Sequence, residues 1–569
     1  MNVRQSSQSG GARGRRERRY QMKQQSTTKG FAVLSVSNII IKVLSLVYVP
    51  FQTMIIGNYG NGLVSSGYRI YVFLFSLSNA GLPVAISKLI AESNALGDYR
   101  GSRRIFRVST VILLALGVCF SGFVIFGNRL ICGYINHQDA DLMILAFAPA
   151  FLFTSVNCAL RGYFQGRRNM VPTALSQVFE QILNSVLTVV FAGLLIRYGI
   201  RYAAMGTTFG TTAGAMGAAF FLLYVYRQNR AQRLHELRHC TYTGPERTTR
   251  QIILIIMHYT LPAILNSLST SAVDLIDVHL CETRLVAGGY PKEVAASLFG
   301  VYSYQYQRMA SLALAVSSAL IAAIIPAISS TWALEDYKGT VKKIRDSFKA
   351  IFFVTIPSIA GLTFLAQPIL TFIFMRNSQG ADLIIFGMWS SVLMAILYVQ
   401  TGVLIAVGKP YIAPVNIILG MLLKIVANYL LIPIHAINIK GAIIGTALGW
   451  LIAVFLNQRA IHKTIPGRMH YFRYMVKPTL VSLVMGAACL LFFNLLHGLL
   501  RLLSHGRLVL VTSDIALLLS IAVGVVIYAS LMIKIRGINK NDILRMPMGK
   551  KLYALLLRVP YLRRDLLAQ

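Results

Sequence analysis

Acidic residues are scarce in this sequence. The 569 residues include 19 Asp and Glu against 55 Lys and Arg, and only 13% of the chain is charged. A soluble globular protein carries about 25% charged residues. With 56% hydrophobic residues in addition, the composition excludes an ordinary soluble domain and indicates an integral membrane protein. The positive charge lies in short loops and tails between apolar runs, which is typical of cytoplasmic loops and not of a nucleic-acid-binding surface.

Cysteines and catalytic motifs are also lacking. The six cysteines lie singly, so the sequence has neither a disulfide framework nor the spacing of a metal site, and we expect buried, small apolar side chains. No phosphate-binding G-x-x-x-x-G-K-[ST] loop, zinc motif or Ser-His-Asp arrangement is present in the sequence. We therefore expect no enzyme activity and no cofactor. Any work that the protein performs would draw on the membrane potential, on an ion gradient or on consumption of a substrate on the far side of the membrane.

Long apolar runs, by contrast, are abundant. A helix that crosses the hydrocarbon core of a bilayer needs about 20 mainly apolar residues. The stretches that meet this condition are 30–57, 67–94, 105–127, 141–165, 171–196, 202–226, 252–281, 298–331, 350–375, 383–407, 411–435, 441–461, 474–498 and 509–533. They predict an all-α integral membrane fold with fourteen transmembrane helices.

The distribution of Lys and Arg predicts the orientation of these helices. An even number of spans places both chain ends on one side, and the basic residues of the tails and of alternate loops place that side in the cytoplasm. We therefore predict a multi-pass protein of the cytoplasmic membrane with both termini cytoplasmic. Its predicted segments are a disordered basic tail at 1–28, a six-helix repeat at 29–226, a linker at 227–251, a second six-helix repeat at 252–462, helices 13 and 14 at 463–536, and a basic tail at 537–569.

Short motifs recur in the same order about 240 residues apart, which indicates an internal duplication. The matched segments are LPVAIS at 82–87 with IPAIS at 325–329, GTTFG at 206–210 with GTALG at 445–449, and the step from Gly166 to Pro172 with that from Gly408 to Pro414. Because each copy holds an even number of helices, we predict two parallel repeats. Such repeats are typical of transporters with a substrate site between the halves. An ancient duplication in a membrane enzyme or scaffold is the alternative.

Ionisable residues inside the apolar spans are the candidate functional residues. A charge at the bilayer centre costs at least about 2.5–3.5 kcal/mol, so it usually faces a cavity or a partner. Lys42, Arg69 and Arg308 lie in predicted helices 1, 2 and 8, and Asp274 and Asp277 lie three residues apart in predicted helix 7. They predict an anion-binding cavity with internal counter-ions, in which Arg binds phosphate bidentately. The alternatives are snorkelling of the cations and a purely structural role for the aspartates.

Two pairs of charged residues are better explained by structure. Lys88 and Glu92 are one turn apart in predicted helix 2. Arg161 and Glu180 flank the short turn between predicted helices 4 and 5. Both placements allow an ion pair, so we interpret these four residues as structural polar pairs.

The stretch 161–181, RGYFQGRRNMVPTALSQVFEQ, resembles the signature of the stage V sporulation protein B family. That family is part of the multidrug/oligosaccharidyl-lipid/polysaccharide exporter superfamily, together with MurJ flippases. The resemblance extends from the first predicted helix over nearly the whole chain. It implies a MurJ/MATE-like fold and transport of an undecaprenyl-pyrophosphate-linked saccharide, with lipid II for peptidoglycan synthesis as the leading expectation. It also implies cell-wall synthesis enzymes as candidate partners, and it leaves vegetative and sporulation roles equally open.

The resemblance also implies roles for particular residues. By helix position, Lys42, Arg69 and Arg308 correspond to the cations that bind pyrophosphate in MurJ-like proteins. Helix 1 carries lysine where MurJ proteins commonly have arginine, and the role of Asp274 and Asp277 is open. Helices 13 and 14 would form a groove for the long lipid tail.

The sequence is also compared with two further functions. An ion-coupled antiporter for drugs or organic cations is the alternative within the superfamily, since Asp274 and Asp277 would suit a cation. A membrane glycosyltransferase is disfavoured because the predicted outer loops are short. The expected mechanism is alternating access by rocking of the two halves around a midplane site.

Overall fold

The computed structural model describes residues 27–79, 81–135, 138–238, 240, 242–375, 377–466, 472–503, 509–535 and 537. Most of these residues are helical and none of them lies in a β-strand. The predicted all-α architecture is therefore confirmed for this part of the chain. Nearly all of the two predicted tails, 1–28 and 537–569, lies outside the described residues.

The chain divides into two compact units, Met1–Thr283 and Arg284–Gln569. The first unit contains α1 (Thr27–Asn79), α2 (Leu82–Ala95), α3 (Tyr99–Ile135), α4 (Asp141–Gly166), α5 (Val171–Leu195), α6 (Ile200–Gln228), α7 (Arg230–Arg238) and most of α8 (Thr249–Ala287). Short 3₁₀ turns at Gln138–Ala140 and Ile196–Tyr198 precede α4 and α6.

The second unit begins within the last turn of α8. It contains α9 (Lys292–Gly300), a π-helical turn (Val301–Tyr306), α10 (Gln307–Ala333), α11 (Tyr337–Phe364), α12 (Ala366–Ile373), α13 (Ala381–Gly387), α14 (Ser391–Ala406), α15 (Ile412–Leu431), α16 (Lys440–Thr464), α17 (Phe472–Leu503) and α18 (Val509–Lys534). A 3₁₀ turn, Met388–Ser390, connects α13 to α14.

Among the described residues, 12 helical stretches are long and apolar enough to cross a membrane, so the protein is a multi-pass membrane protein. The first of them, Val36–Ala95, covers the predicted spans 30–57 and 67–94 and contains a kink at Gly57 (φ 65°). The predicted span 298–331 corresponds to α9, the π-helical turn and α10, which are not among the 12. The number fourteen and the two six-helix repeats stay predictions.

The core of the first unit forms where α2 packs against α3 and α4. Leu82, Ile86 and Leu89 recur at helical spacing on the buried face of α2. Glycine lets α4 approach this face closely, because a Cβ at Gly162 would lie 2.9 Å from the Cβ of Ile86. The glycines of the RGYFQG motif are therefore packing residues.

The repeated glycine motifs occupy comparable positions in the two units. In α6, a Cβ at Gly210 would lie 2.6 Å from the backbone nitrogen of Thr188 on α5. In α16, a Cβ at Gly449 would lie 2.9 Å from the carbonyl oxygen of Gly420 on α15. Each motif thus lets a helix pack closely on the one that precedes it.

The last two helices, α17 and α18, pack against α11. Met485 and Cys489 of α17 belong to one buried cluster with Leu517 and Tyr528 of α18. The hydroxyl of Tyr528 donates a hydrogen bond to the carbonyl oxygen of Phe353 on α11 at 2.9 Å. The C-terminal helix pair is therefore an integral part of the second unit.

The cysteines agree only partly with the expected burial. Cys132, Cys158, Cys281 and Cys489 are buried. Cys240 is half-buried in the loop after α7, and Cys119 is exposed on α3. The expectation was wrong for Cys119, because it lies on an apolar face of α3 that is exposed in the structure, together with Val111 and Phe123.

Candidate functional site

The candidate site lies in the first unit, where α1 and α2 run antiparallel to α8. The side-chain contacts that join α1 to α8 among the described residues include Ser66 Oγ to Glu282 Oε1 at 3.3 Å, Arg69 Nη1 to Asp274 Oδ1 at 3.0 Å, and Ser76 Oγ to Ser271 Oγ at 3.0 Å. Residue numbers rise along α1 as they fall along α8, as antiparallel packing requires. We call these six residues the polar seam.

Beyond the polar seam, α8 stays in contact with Gly81 and with α2, which follow α1 in the chain. Gly81, which separates α1 from α2, has a left-handed backbone (φ +76°), and a Cβ there would lie only 2.5 Å from the Cβ of Ala263 on α8. Further along α2, the ammonium nitrogen of Lys88 lies 3.8 Å from the ring centroid of Tyr259. Glycine is required at position 81 both by the backbone conformation and by the close approach.

Arg69 is the buried cation of the polar seam. The residue is only 9% exposed. Its Nη1 contacts both a carboxylate oxygen and the backbone carbonyl of Asp274, the latter at 3.2 Å, and its Nε donates to Ser65 Oγ at 3.4 Å. A charge on an apolar helix needs such partners because isolated burial is costly.

The carboxylates of α8 differ in their surroundings. The side chain of Asp274 is 52% exposed although it contacts the buried Arg69. Asp277 is buried, and so is Glu282, whose Oε1 accepts the hydrogen bond from Ser66. The Arg69–Asp274 ion pair therefore has one buried partner and one that is open to an incoming group.

Lys42 lies on the same long helix as Arg69, on the other side of the Gly57 kink. Its side chain is exposed, and its backbone carbonyl accepts a hydrogen bond from Ser45 Oγ at 2.8 Å. Lys42 is not one of the six residues of the polar seam.

Arg308 lies in the second unit, directly after the π-helical turn. It is half-buried, and its guanidinium carbon lies 5.0 Å from the ring centroid of Tyr304. The turn itself is buried and anchored, because Tyr306 donates to the carbonyl oxygen of Gly387 at 3.1 Å and Gln305 Oε1 accepts from the backbone of Gly380 at 2.7 Å. Single π-turns inside helices are frequent at functional sites.

The two predicted structural pairs have different geometry. Arg161 Nη2 lies 2.6 Å from Glu180 Oε2, which links α4 to α5, and Arg161 Nε donates to Ser176 Oγ at 3.2 Å. Lys88 and Glu92 are 4.0 Å apart and both side chains are nearly half exposed. An exposed pair at that distance adds little stability, about 0–1 kcal/mol.

The sequence analysis missed several residues of the polar seam. Glu282 lies one residue beyond the predicted span 252–281, and the serines 66, 76 and 271 carry no charge that would single them out. The sequence feature that could have identified Glu282 is its position as a carboxylate at the end of an apolar helix. Which serines face it depends on how α1 packs on α8, and that information is not local.

The family comparison matches residues 27–332, more than half of the chain, to the family described as polysaccharide biosynthesis protein. Among characterised relatives, the chain is 25% identical to the lipid II flippase MurJ of Bacillus subtilis (strain 168) over 81% of this chain and 86% of the relative. It is 23% identical to stage V sporulation protein B of the same organism, over 78% of this chain and 85% of the relative. The resemblance inferred from residues 161–181 is therefore confirmed.

The fold is shared with two solved structures at 16% sequence identity. An inward-closed lipid II flippase MurJ has a TM-score of 0.60, covering 89% of this chain and 99% of the matched one. An inward-facing multidrug transporter of the MATE family has a TM-score of 0.62, covering 76% of this chain and 98% of the other. At this identity the likeness establishes a MurJ/MATE-like fold.

Proposed function

Because the chain belongs to the polysaccharide biosynthesis protein family, we propose that it is a flippase for a lipid-linked saccharide. The substrate is an undecaprenyl-pyrophosphate-linked saccharide, which moves from the inner to the outer leaflet of the cytoplasmic membrane. Both termini are on the cytoplasmic side. The lipid tail stays in the bilayer, so the protein has to shelter only the charged head.

The observation that carries this proposal is the placement of Arg69. It is a buried cation on an apolar helix, and its carboxylate partner Asp274 is half exposed. Ionisable residues within membrane spans are rare and usually mark a substrate or ion pathway. A pyrophosphate that reaches the exposed side of the pair can replace Asp274 as the counter-ion of Arg69, with no net loss of charge compensation.

Lys42, Arg69 and Arg308 each have a role in this mechanism. Arg69 and Arg308 bind phosphate oxygens through their planar guanidinium groups, and Lys42 acts as a point charge. Asp274 and Asp277 are internal counter-ions that compensate the cations when no substrate is bound. Alternating access, in which the site opens to one side of the membrane at a time, then carries the head across.

Lipid II is the favoured substrate. Support comes from the name of a relative that is 25% identical over most of both chains and from the shared fold of a lipid II flippase. The pyrophosphate and the polyprenyl tail are common to other lipid-linked saccharides, so the sugar is the part of the substrate that transport assays have to identify.

Reconstitution tests this function. Flipping of labelled lipid II is measured in proteoliposomes that contain the protein alone, with a phospholipid lacking an isoprenoid chain as the substrate control. We expect selective flipping of lipid II, at a rate that depends on Arg69 and Arg308. Absence of flipping under every imposed ion gradient and potential would contradict the lipid II assignment, and other undecaprenyl-linked saccharides would then be compared.

An ion-coupled antiporter is the second candidate function. It is favoured by the group of acidic residues on α8, where buried Asp277 and Glu282 accompany Asp274, and by the fold shared with a multidrug transporter. Such a protein would take up a fluorescent organic cation against a proton or sodium gradient. The flippase proposal predicts no such uptake.

A further inference from the structure

A second charged feature lies in the first unit, away from the polar seam. It is a cavity of about 310 Å³ at the ends of α3, α4, α6 and α7. We call it the arginine pocket. Its lining residues are Tyr99, Ser102, Arg103, Phe106, Tyr163, Arg167, Tyr226, Arg230, Arg233, Leu234, Glu236 and Leu237. The volume is at the lower end of the range of small-molecule sites.

Three packed aromatic rings form part of the pocket lining. The ring centroids of Phe106 and Tyr163 are 4.9 Å apart, those of Phe106 and Tyr226 are 5.2 Å apart, and those of Tyr163 and Tyr226 are 5.3 Å apart. Such mutual contacts hold rings from α3, α4 and α6 in fixed positions. The cavity is therefore shaped by packed side chains and is not a gap between mobile loops.

Two of the four arginines are held by the protein itself. Arg167 donates hydrogen bonds to Glu236 and, at 2.9 Å, to the hydroxyl of Tyr163. Burial would lower the pKa of Arg167, but Tyr163 and Glu236 together raise it above its ordinary value. Arg233 lies over the ring of Tyr226 at 3.6 Å and donates to the backbone carbonyl of the same residue. These contacts fix two guanidinium groups in the wall.

The other two arginines are not held by such contacts. Arg103 on α3 and Arg230 on α7 are exposed, and neither forms an ion pair or side-chain hydrogen bond with the residues that the structure describes. Glu236, the one carboxylate among the described lining residues, is already bound by Arg167 and by Gln232. The pocket therefore has an excess of positive charge, and two of its guanidinium groups are available to an anion.

We propose that the arginine pocket is a binding site for the phosphate group of an organic phosphate. Arg103 and Arg230 donate hydrogen bonds to the phosphate oxygens, and the aromatic rings contact the remainder of the ligand. Paired guanidinium groups match phosphate geometry, and each bond is charge-assisted. The phosphate can belong to the headgroup of an anionic phospholipid or to a soluble phosphate ester, because both offer the same oxygens.

This site is separate from the proposed transport of a lipid-linked saccharide. The polar seam is formed by α1 and α8, whereas the arginine pocket is formed by α3, α4, α6 and α7. Binding at the pocket is therefore expected to survive changes to Arg69 and Arg308.

Equilibrium binding of radiolabelled pyrophosphate to the full chain in phosphatidylcholine nanodiscs tests the soluble source. Native mass spectrometry of the chain purified from phosphatidylglycerol-containing membranes tests the lipid source by counting retained phospholipid. The test variant is Arg103→Gln with Arg230→Gln. The matched control is Arg107→Gln with Arg238→Gln, which removes the same charge from exposed positions of the same two helices outside the pocket.

We expect saturable pyrophosphate binding or phospholipid retention that weakens at least about tenfold in the test variant and changes less than about twofold in the control. Which of the two ligands shows the effect identifies the source. The proposal is overturned if neither ligand shows it, or if test and control variants lose binding equally. It is also overturned if Arg69→Gln with Arg308→Gln removes the binding, since the transport site would then be its origin.

Discussion

The guanidinium of Arg69 lies 3.0 Å from the carboxylate of Asp274, and the two side chains differ fivefold in exposure, 10% against 52%. This asymmetry predicts unequal effects of neutralising either partner. Asp274→Asn leaves a buried cation without its counter-ion, which we expect to cost about 1.5–3 kcal/mol of stability. Arg69→Gln leaves a carboxylate that water can reach, so its cost is expected to be smaller.

Thermal unfolding of the purified variants in one detergent checks this difference. We expect the midpoint to fall further in Asp274→Asn than in Arg69→Gln. We also expect the fall in the double variant to be smaller than the sum of the falls in the two single variants. Equal losses for the two single variants would show that the ion pair does not have the burial asymmetry described above.

Gly81 gives a test of the contact between α2 and α8. An alanine there takes on the strain of a left-handed backbone, about 1–2 kcal/mol, and its Cβ would also meet Ala263 at 2.5 Å. Gly408 is the matched control, because its φ of +80° is close to that of Gly81 but a Cβ there has no atom within 4 Å. We expect Gly81→Ala to lower the unfolding midpoint clearly more than Gly408→Ala. Similar midpoints would mean that the helices do not approach this closely.

The pair formed by Arg161 and Glu180 is expected to be structural. Removing one partner of a largely buried pair is strongly destabilising, whereas replacing both with apolar residues of similar size is often tolerated. We therefore expect Arg161→Leu and Glu180→Leu each to reduce the yield of folded protein and the double variant to restore most of it. Lipid II flipping by the double variant is the second readout, and a folded double variant without transport would assign the pair to the substrate path.

Cys240 allows the orientation of the chain to be measured. Partial burial raises the pKa of its thiol, but backbone N–H groups of residues 99, 100 and 242 outweigh this and lower the pKa below its ordinary value. The thiolate is the reactive form, so maleimide labelling should level off at a lower pH than that of a free cysteine. Because its loop is predicted to be cytoplasmic, we expect an impermeant maleimide to label Cys240 only after the cells are permeabilised.

Cys240→Ser provides the control for this experiment, because the part of the labelling that comes from Cys240 should disappear with it. Labelling of Cys240 in intact cells would place the loop outside and would reverse the predicted orientation. A labelling profile shifted to higher pH would contradict the stabilisation of the thiolate by the backbone.

Helix boundaries were most predictable where glycine and proline mark them. The predicted spans 141–165 and 171–196 nearly coincide with α4 and α5, because a glycine ends the first and a proline begins the second. The predicted span 105–127 is shorter than α3, since hydropathy stops at the arginines near its start although the helix continues through them. Hydropathy identifies the apolar stretch that can lie in lipid, and a helix can continue beyond both ends of that stretch.

The tertiary partners of the charged residues were harder to predict. The sequence identified Arg69 and Asp274 as unusual, but their contact spans about 200 residues of chain and depends on how α1 packs on α8. The Arg161–Glu180 pair was easier because a short turn joins its two helices. The arginine pocket collects residues from four helices, and nothing local distinguishes Arg103 or Arg230 from the many other basic residues at helix ends.

Flipping of labelled lipid II in proteoliposomes by the unmodified protein, Arg69→Gln and Arg308→Gln is the most direct measurement of the proposed function. Arg459→Gln, which changes an exposed arginine at the end of α16, is the control for loss of one positive charge. We expect rates at least about tenfold lower in the first two variants, since each loses a charge-assisted contact to phosphate, and an unchanged rate in the third. Wild-type rates in folded Arg69→Gln and Arg308→Gln would contradict the assignment of these cations to the pyrophosphate.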